Sequence, residues 1–138
     1  DTVVVVTTNI SYEGCRGLNQ SVIDRMSLVC DVEAPSPDVM IQRAMSVTGA
    51  TDEYPVSQMV QVVNDLAEYC RTHGVTDGSY GMRSLIDWVA SAEVTGDVYG
   101  SALYTIISKA TADEMDREAL ISAVLEPYFT PKRRKASA

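Results

Sequence analysis

The stretch Val3-Val4-Val5-Val6-Thr7-Thr8-Asn9 decides the predicted fold, because it is an apolar run that ends in polar residues. Four consecutive valines have strong β propensity. A run without alternation is typical of a strand buried on both faces of a parallel sheet. Ligands of open α/β sheets bind at the carboxyl ends of such strands. Asn9 is therefore a candidate ligand-binding residue, and the alternative is that it merely ends the strand.

The next residues predict a crossover and a second strand. A glycine-bearing loop over 12–17 leads into a short helix that carries Asn19 and Arg25, and a strand is expected over 27–32. The segment 10–26 is long enough to connect two parallel strands. Two strands do not form a stable sheet alone, so residues 1–33 are predicted to be the remnant of an α/β core. We therefore expect the chain to be a fragment of a longer protein.

A composition break at Ala34-Pro35-Ser36-Pro37 marks the predicted domain boundary, and residues 34–129 predict about five helices. Ser36, Ser57, Asp97 and Asp116 are the expected N-caps, and a third helix is expected to begin near Tyr80. The fold class is thus mostly α, a helical domain preceded by a two-strand remnant. Residues 130–138, which include Lys132-Arg133-Arg134-Lys135, are predicted to be a disordered basic tail.

Apolar residues at helical spacing predict the core of the helical domain. They are Val39, Ile41, Ala44 and Met45 in the first helix, Met59, Val62, Val63, Leu66 and Cys70 in the second, Met82, Leu85, Ile86 and Val89 in the third, Tyr99, Leu103, Ile106, Ile107 and Ala110 in the fourth, and Leu120, Ile121, Val124, Leu125 and Tyr128 in the fifth. Trp88 is expected at the flank of this core.

The totals exclude several classes of function. The formal charge is −8, which disfavours binding to nucleic acid phosphates. A single histidine and three irregularly spaced cysteines predict neither a metal site nor a disulfide framework, and Cys30 is expected to be a buried, inert thiol. The lack of a disulfide framework predicts a reducing, cytoplasmic location. No apolar run approaches the length of a membrane span, so no membrane partner is expected.

The first segment resembles the second half of a MoxR-type AAA+ ATPase core. The resemblance rests on Thr7-Thr8-Asn9, Tyr12-Glu13-Gly14, Leu18-Asn19-Gln20 and Ile23-Asp24-Arg25-Met26, and a looser helical likeness extends to about residue 129. It implies that Asn9 is the sensor 1 residue and Arg25 the arginine finger, with Met26 where phenylalanine is usual. It also implies that the helical domain is the AAA+ lid.

Two further arginines are candidates for the same site. Arg16, in the Gly14-Cys15-Arg16-Gly17 loop, competes with Arg25 for the role of finger, and Arg83 resembles the nucleotide-sensing sensor 2 arginine of the lid. A cation in the first turn of a helix opposes the helix dipole, which suits a residue that reaches toward an anion. The alternatives are ion pairs: Arg25 with Asp24 or Glu13, and Arg83 with Asp77 or Asp87.

The chain contains no Gly-x-x-x-x-Gly-Lys-Ser/Thr loop and no Walker B strand, so we expect it to be inactive and free of cofactor by itself. The resemblance implies that the full-length parent is an ATPase that uses ATP with magnesium. It also implies a homo-oligomeric ring, often a hexamer, and chaperone-like remodelling of a client protein, commonly one with a von Willebrand factor A domain. The alternative function is a helical protein-interaction module without a nucleotide role.

Overall fold

The computed structural model describes residues 1–8, 18–75 and 78–131. It is mostly helical, as the sequence predicts. The chain divides into two compact units, Asp1–Ala34 and Pro35–Ala138. None of the helices in the described ranges combines the length and the apolar character that crossing a membrane requires.

The first unit contains one short helix, α1, which spans Gln20–Ile23. Its N-cap is Asn19, whose Oδ1 accepts a 3.1 Å hydrogen bond from the backbone N–H of Ser21. The predicted short helix is therefore present.

The two predicted strands are absent from the described part of the first unit, where residues 3–8 and 27–32 lie outside regular structure. Val3 to Val6 are between 48% and 86% exposed, so the run expected to be buried on both faces is covered on neither. The physical reason is that a strand is stabilised by hydrogen bonds and side-chain contacts with a neighbouring strand. Neither stretch has such a neighbour in the described residues.

Five helices form the described part of the second unit. They are α2 (Pro37–Thr48), α3 (Glu53–His73), α4 (Met82–Thr95), α5 (Val98–Ala102, Leu103–Ile107 and Ser108–Ala110) and α6 (Glu114–Leu120 and Ile121–Leu125). The stretches Leu103–Ile107 and Ile121–Leu125 are π-helical turns within α5 and α6. Helices α2, α3 and α4 pack against one another, α5 packs on α4, and the π-helical turn of α6 packs on α3.

Two of the predicted N-caps differ from those in the structure. Asp52, and not Ser57, is the N-cap of α3, and its carboxylate accepts from the N–H of Tyr54. Asp113, and not Asp116, is the N-cap of α6, where it accepts from the N–H of Asp116. Asp97 is the N-cap of α5, as predicted, and accepts from the N–H of Gly100.

The core of the second unit follows the predicted stripes with two corrections. In α3, every predicted stripe residue is buried, because these positions recur on one face of a long helix. In α2, Met40 is 5% exposed, whereas Val39, a predicted core residue, is 52% exposed. Trp88 is fully buried and is not a flanking residue: its indole N–H donates a 2.8 Å hydrogen bond to the carbonyl of Val98, so burial leaves no unmet donor.

Candidate functional site

Three of the four candidate site residues belong to the first unit, and the structure describes one of them. Asn9 and Arg16 lie outside the described residues. Arg25 directly follows α1 and its cap residue Asp24, and it is exposed. Its guanidinium forms no ion pair with Asp24, whose carboxylate accepts a 3.1 Å hydrogen bond from Gln20 instead. The alternative partner Glu13 lies outside the described residues.

Arg83 is the second residue of α4, so its side chain is at the positive end of a helix of 14 residues. The N-cap is Gly81, with φ 148°, and because glycine has no side chain the cap residue itself does not accept from the amide groups of the first turn. Ser84 and Leu85, which follow, are buried, while Arg83 is exposed. The start of α4 is therefore an electropositive position with a cation directed away from the core.

Asp87, the predicted alternative partner of Arg83, is bound to a different cation. The Lys109 ammonium at the end of α5 donates a 2.6 Å hydrogen bond to its Oδ2. The Arg83 guanidinium forms no ion pair or hydrogen bond with any described residue. The other alternative partner, Asp77, lies outside the described residues.

The start of α4 is attached to the end of α5 by the segment before it. The backbone N–H of Ser79 donates a 2.8 Å hydrogen bond to the carbonyl of Lys109. Gly78 packs so closely on the backbone of Ala110 that a Cβ atom at residue 78 would collide with the Ala110 carbonyl. Tyr80 is half-buried, and burial, followed by the nearby Cys70, raises the pKa of its phenol. These contacts fix the backbone from which Arg83 projects.

Most other cations in the described part of the second unit are engaged. Arg71 forms a two-bond ion pair with Glu68, at 2.6 Å and 3.1 Å, and this partner lowers the pKa of the Glu68 carboxyl. Arg117 donates a 2.8 Å hydrogen bond to the carbonyl of Thr111. Among the described cations of this unit, only the side chains of Arg43 and Arg83 are without an ion pair or hydrogen bond. Arg43 lies inside α2, so Arg83 alone of these two is at a helix start.

A shallow groove between α3 and α6 is a feature that the sequence analysis missed. It has a volume of about 310 Å³ and is lined by Asp65, Glu68, Tyr69, Thr72, Ala123 and Val124. The Tyr128 phenol donates a 2.8 Å hydrogen bond to Asp65, and the Tyr69 ring stacks on His73 at 3.9 Å. Asp65 and Tyr128 are 63 residues apart, and no local sequence pattern predicts that they meet. The sequence therefore does not predict the groove.

No group of three or more potential metal-ligating side chains occurs within the described ranges. Cys70 is buried, while Cys30 is exposed. This corrects the prediction of a buried Cys30 thiol, because the buried strand that was expected to contain Cys30 is absent from the described residues. Arg83 can bind and orient an anion. The groove presents the Tyr69 ring beside two carboxylates, Asp65 and Glu68, which already accept hydrogen bonds from Tyr128 and Arg71.

No protein-family model, curated protein or solved structure matches this chain.

Proposed function

We propose that this chain is the C-terminal part of a MoxR-type AAA+ ATPase. In this proposal, the second unit is the helical lid, and the first unit is the end of the ATP-binding core. Asn9 is the sensor 1 residue, Arg25 or Arg16 is the arginine finger, and Arg83 is the sensor 2 arginine. The full-length parent would be a cytoplasmic ATPase that binds ATP with magnesium.

The position of Arg83 is the observation that carries the proposal. A guanidinium at a helix start repels the helix dipole and gains nothing locally, unless an anion is bound there. The Arg83 guanidinium is exposed and unpaired among the described residues, and the N-cap of α4 is a glycine, which has no side chain to cap the helix. A nucleotide phosphate is an anion whose oxygens match the planar donor fork of arginine.

The exposed valines give independent support. Val3 to Val6 carry the apolar character of a strand buried on both faces, yet the described residues contain no strand to pair with them. Exposed apolar stretches of this kind are normally covered by another chain or another part of the protein. The remaining strands of an AAA+ core would provide that cover.

The experiment is nucleotide binding by the full-length parent with Arg83→Ala. Loss of one charge-assisted contact is expected to weaken binding of an ATP analogue by roughly ten-fold, since such bonds contribute about 1.5 kcal/mol. Arg43→Ala is the matched control, because it removes an unpaired arginine from the interior of α2. Equal affinity for the two variants and the wild type would exclude the sensor 2 role of Arg83.

The proposal extends to the assembly of the full-length parent into a ring. An arginine finger acts on the nucleotide of a neighbouring subunit, so the parent would form a homo-oligomeric ring, of six subunits in the usual arrangement of the family. Its client would be another protein, of which one with a von Willebrand factor A domain is the leading candidate. Size determination with ATP and magnesium would test the ring.

The groove favours a second candidate, a helical protein-interaction module without a nucleotide role. Asp65, Glu68 and Tyr69 lie on one face of α3 beside the π-helical turn of α6. A surface of this kind suits a partner side chain with a cationic or aromatic tip. Asp65→Asn and Tyr69→Ala should abolish partner binding under this candidate and should leave nucleotide affinity unchanged under the first.

A further inference from the structure

Asp87 lies within reach of two cations, and only one of them is bound to it. Arg83 precedes Asp87 by one helical turn on α4, a spacing that brings side chains together. Lys109 lies 22 residues further along the chain, at the end of α5, and donates to Asp87 at 2.6 Å. The two cations therefore compete for one carboxylate, and in this structure Lys109 occupies it.

Contacts of the backbone at residues 109 and 110 place Lys109 beside Asp87. Its carbonyl accepts the 2.8 Å hydrogen bond from Ser79, and the next residue, Ala110, packs directly on Gly78. Since the backbone is fixed beside the start of α4, pairing with Asp87 restricts only the lysine side chain. Arg83 has the less favourable arrangement, because a cation placed before its anion along a helix opposes the dipole.

We propose that Lys109 is a positioning residue that keeps Arg83 available to an external anion by occupying Asp87. Without Lys109, Asp87 attracts the Arg83 guanidinium back along α4. The anion class is the polyphosphate of a nucleotide, and this part of the inference rests on the proposed function. Lys109 then influences nucleotide affinity although it does not contact the nucleotide.

The first test observes the Arg83 side chain directly in the 138-residue chain. NMR relaxation of its Nε–H group is compared in the wild type, Lys109→Met, Lys109→Arg and the double variant Lys109→Met/Asp87→Asn. We expect a mobile guanidinium in the wild type, a measurably less mobile one in Lys109→Met, and wild-type mobility in the other two. Lys109→Gln is a second variant that removes the same charge if Lys109→Met perturbs the backbone amide spectrum.

Two results of this mobility measurement would contradict the proposed role of Lys109. An Arg83 side chain with the same mobility in Lys109→Met, Lys109→Gln and the wild type would overturn the inference. So would a wild-type Arg83 that is already ordered and loses that order in Asp87→Asn. These outcomes concern the side chain alone and do not depend on whether Arg83 binds a nucleotide.

The second test uses inorganic tripolyphosphate as the probe and the shift of the Arg83 Nε–H resonance as the readout. Lys109→Met should weaken binding about two-fold, the size of a single helical ion pair, and Lys109→Arg and the double variant should restore it. Unchanged affinity in Lys109→Met, together with reduced Arg83 mobility, would refute the link to anion binding. A wild-type chain whose Arg83 does not respond to tripolyphosphate would count against the proposed function, and the mobility data would then decide the role of Lys109.

Discussion

The phenol of Tyr128 donates a 2.8 Å hydrogen bond to the carboxylate of Asp65, which lies 63 residues earlier in the chain. The bond connects the residues after α6 to the middle of α3. Phe129, the next residue, contacts the ring of Trp88 edge-on, with ring centroids 5.7 Å apart. The end of the helical unit is thus attached to two of its helices through consecutive aromatic residues.

Tyr128→Phe should destabilise the helical unit by about 1 kcal/mol, the usual net value of one hydrogen bond. Phenylalanine keeps the aromatic ring, so the decrease in stability measures the contribution of the hydroxyl group alone. Tyr104→Phe is the matched control, because Tyr104 is 77% exposed and is expected to change stability very little. Urea denaturation at neutral pH measures both. Equal midpoints for the two variants would show that the Tyr128 bond contributes nothing.

The same bond should make stability depend on pH in the alkaline range. The hydrogen bond to Asp65, with burial as the second cause, raises the pKa of Tyr128. A group whose pKa is raised by folding contributes stability that is complete below its unfolded pKa of about 10. That contribution is lost as the pH rises through the folded pKa. The stability difference between the wild type and Tyr128→Phe should therefore be constant from neutral pH to about pH 9 and disappear at higher pH.

Met40→Ala and Val39→Ala should differ sharply although the two residues are adjacent. Met40 is buried against the core, so its truncation should cost about 2 to 4 kcal/mol. Val39 is more than half exposed, so its truncation should lower the free energy of unfolding by less than about 0.5 kcal/mol. Thermal unfolding of both variants measures the difference. A large loss in Val39→Ala with little change in Met40→Ala would show that the other face of α2 is buried.

Gly78→Ala should destabilise the chain by about 1 to 3 kcal/mol, the range of an overpacked contact. The new methyl group collides with the backbone carbonyl of Ala110, which cannot move without displacing the end of α5. Ser79→Ala is the control, since it keeps the backbone N–H that bonds to Lys109 and removes only an exposed hydroxyl. Wild-type stability for Gly78→Ala would mean that the segment before α4 is not fixed on α5.

Features encoded by neighbouring residues were predictable from the sequence. The buried face of α3 and its end at His73 follow from helical periodicity and from Gly74, which adopts a left-handed conformation with φ 71°. The sequence predicts Asp116 as the N-cap of α6, whereas the N-cap in the structure is Asp113, because both aspartates precede the same apolar run. Local preference could not choose between them, whereas the structure places the carboxylate of Asp113 on the helix start.

Features that depend on distant residues were not predictable. The Val3–Val6 run has strand propensity, but a strand also needs a neighbour, and the described chain provides none. Asp87 is one turn from Arg83 in sequence, yet its partner is Lys109, 22 residues away. The groove likewise depends on contacts between α3 and α6. In each case the missing information was which segments meet in space.

We propose that this chain belongs to an ATPase whose arginine finger acts on a neighbouring subunit, and this proposal has one direct test. The most direct measurement is steady-state ATP hydrolysis by the full-length parent carrying Arg25→Ala or Arg16→Ala. The variant that lacks the finger should bind nucleotide normally, turn over roughly 10³-fold more slowly, and regain activity when mixed with a subunit defective in the phosphate-binding loop. Wild-type turnover by both variants, in an intact ring, would contradict the account.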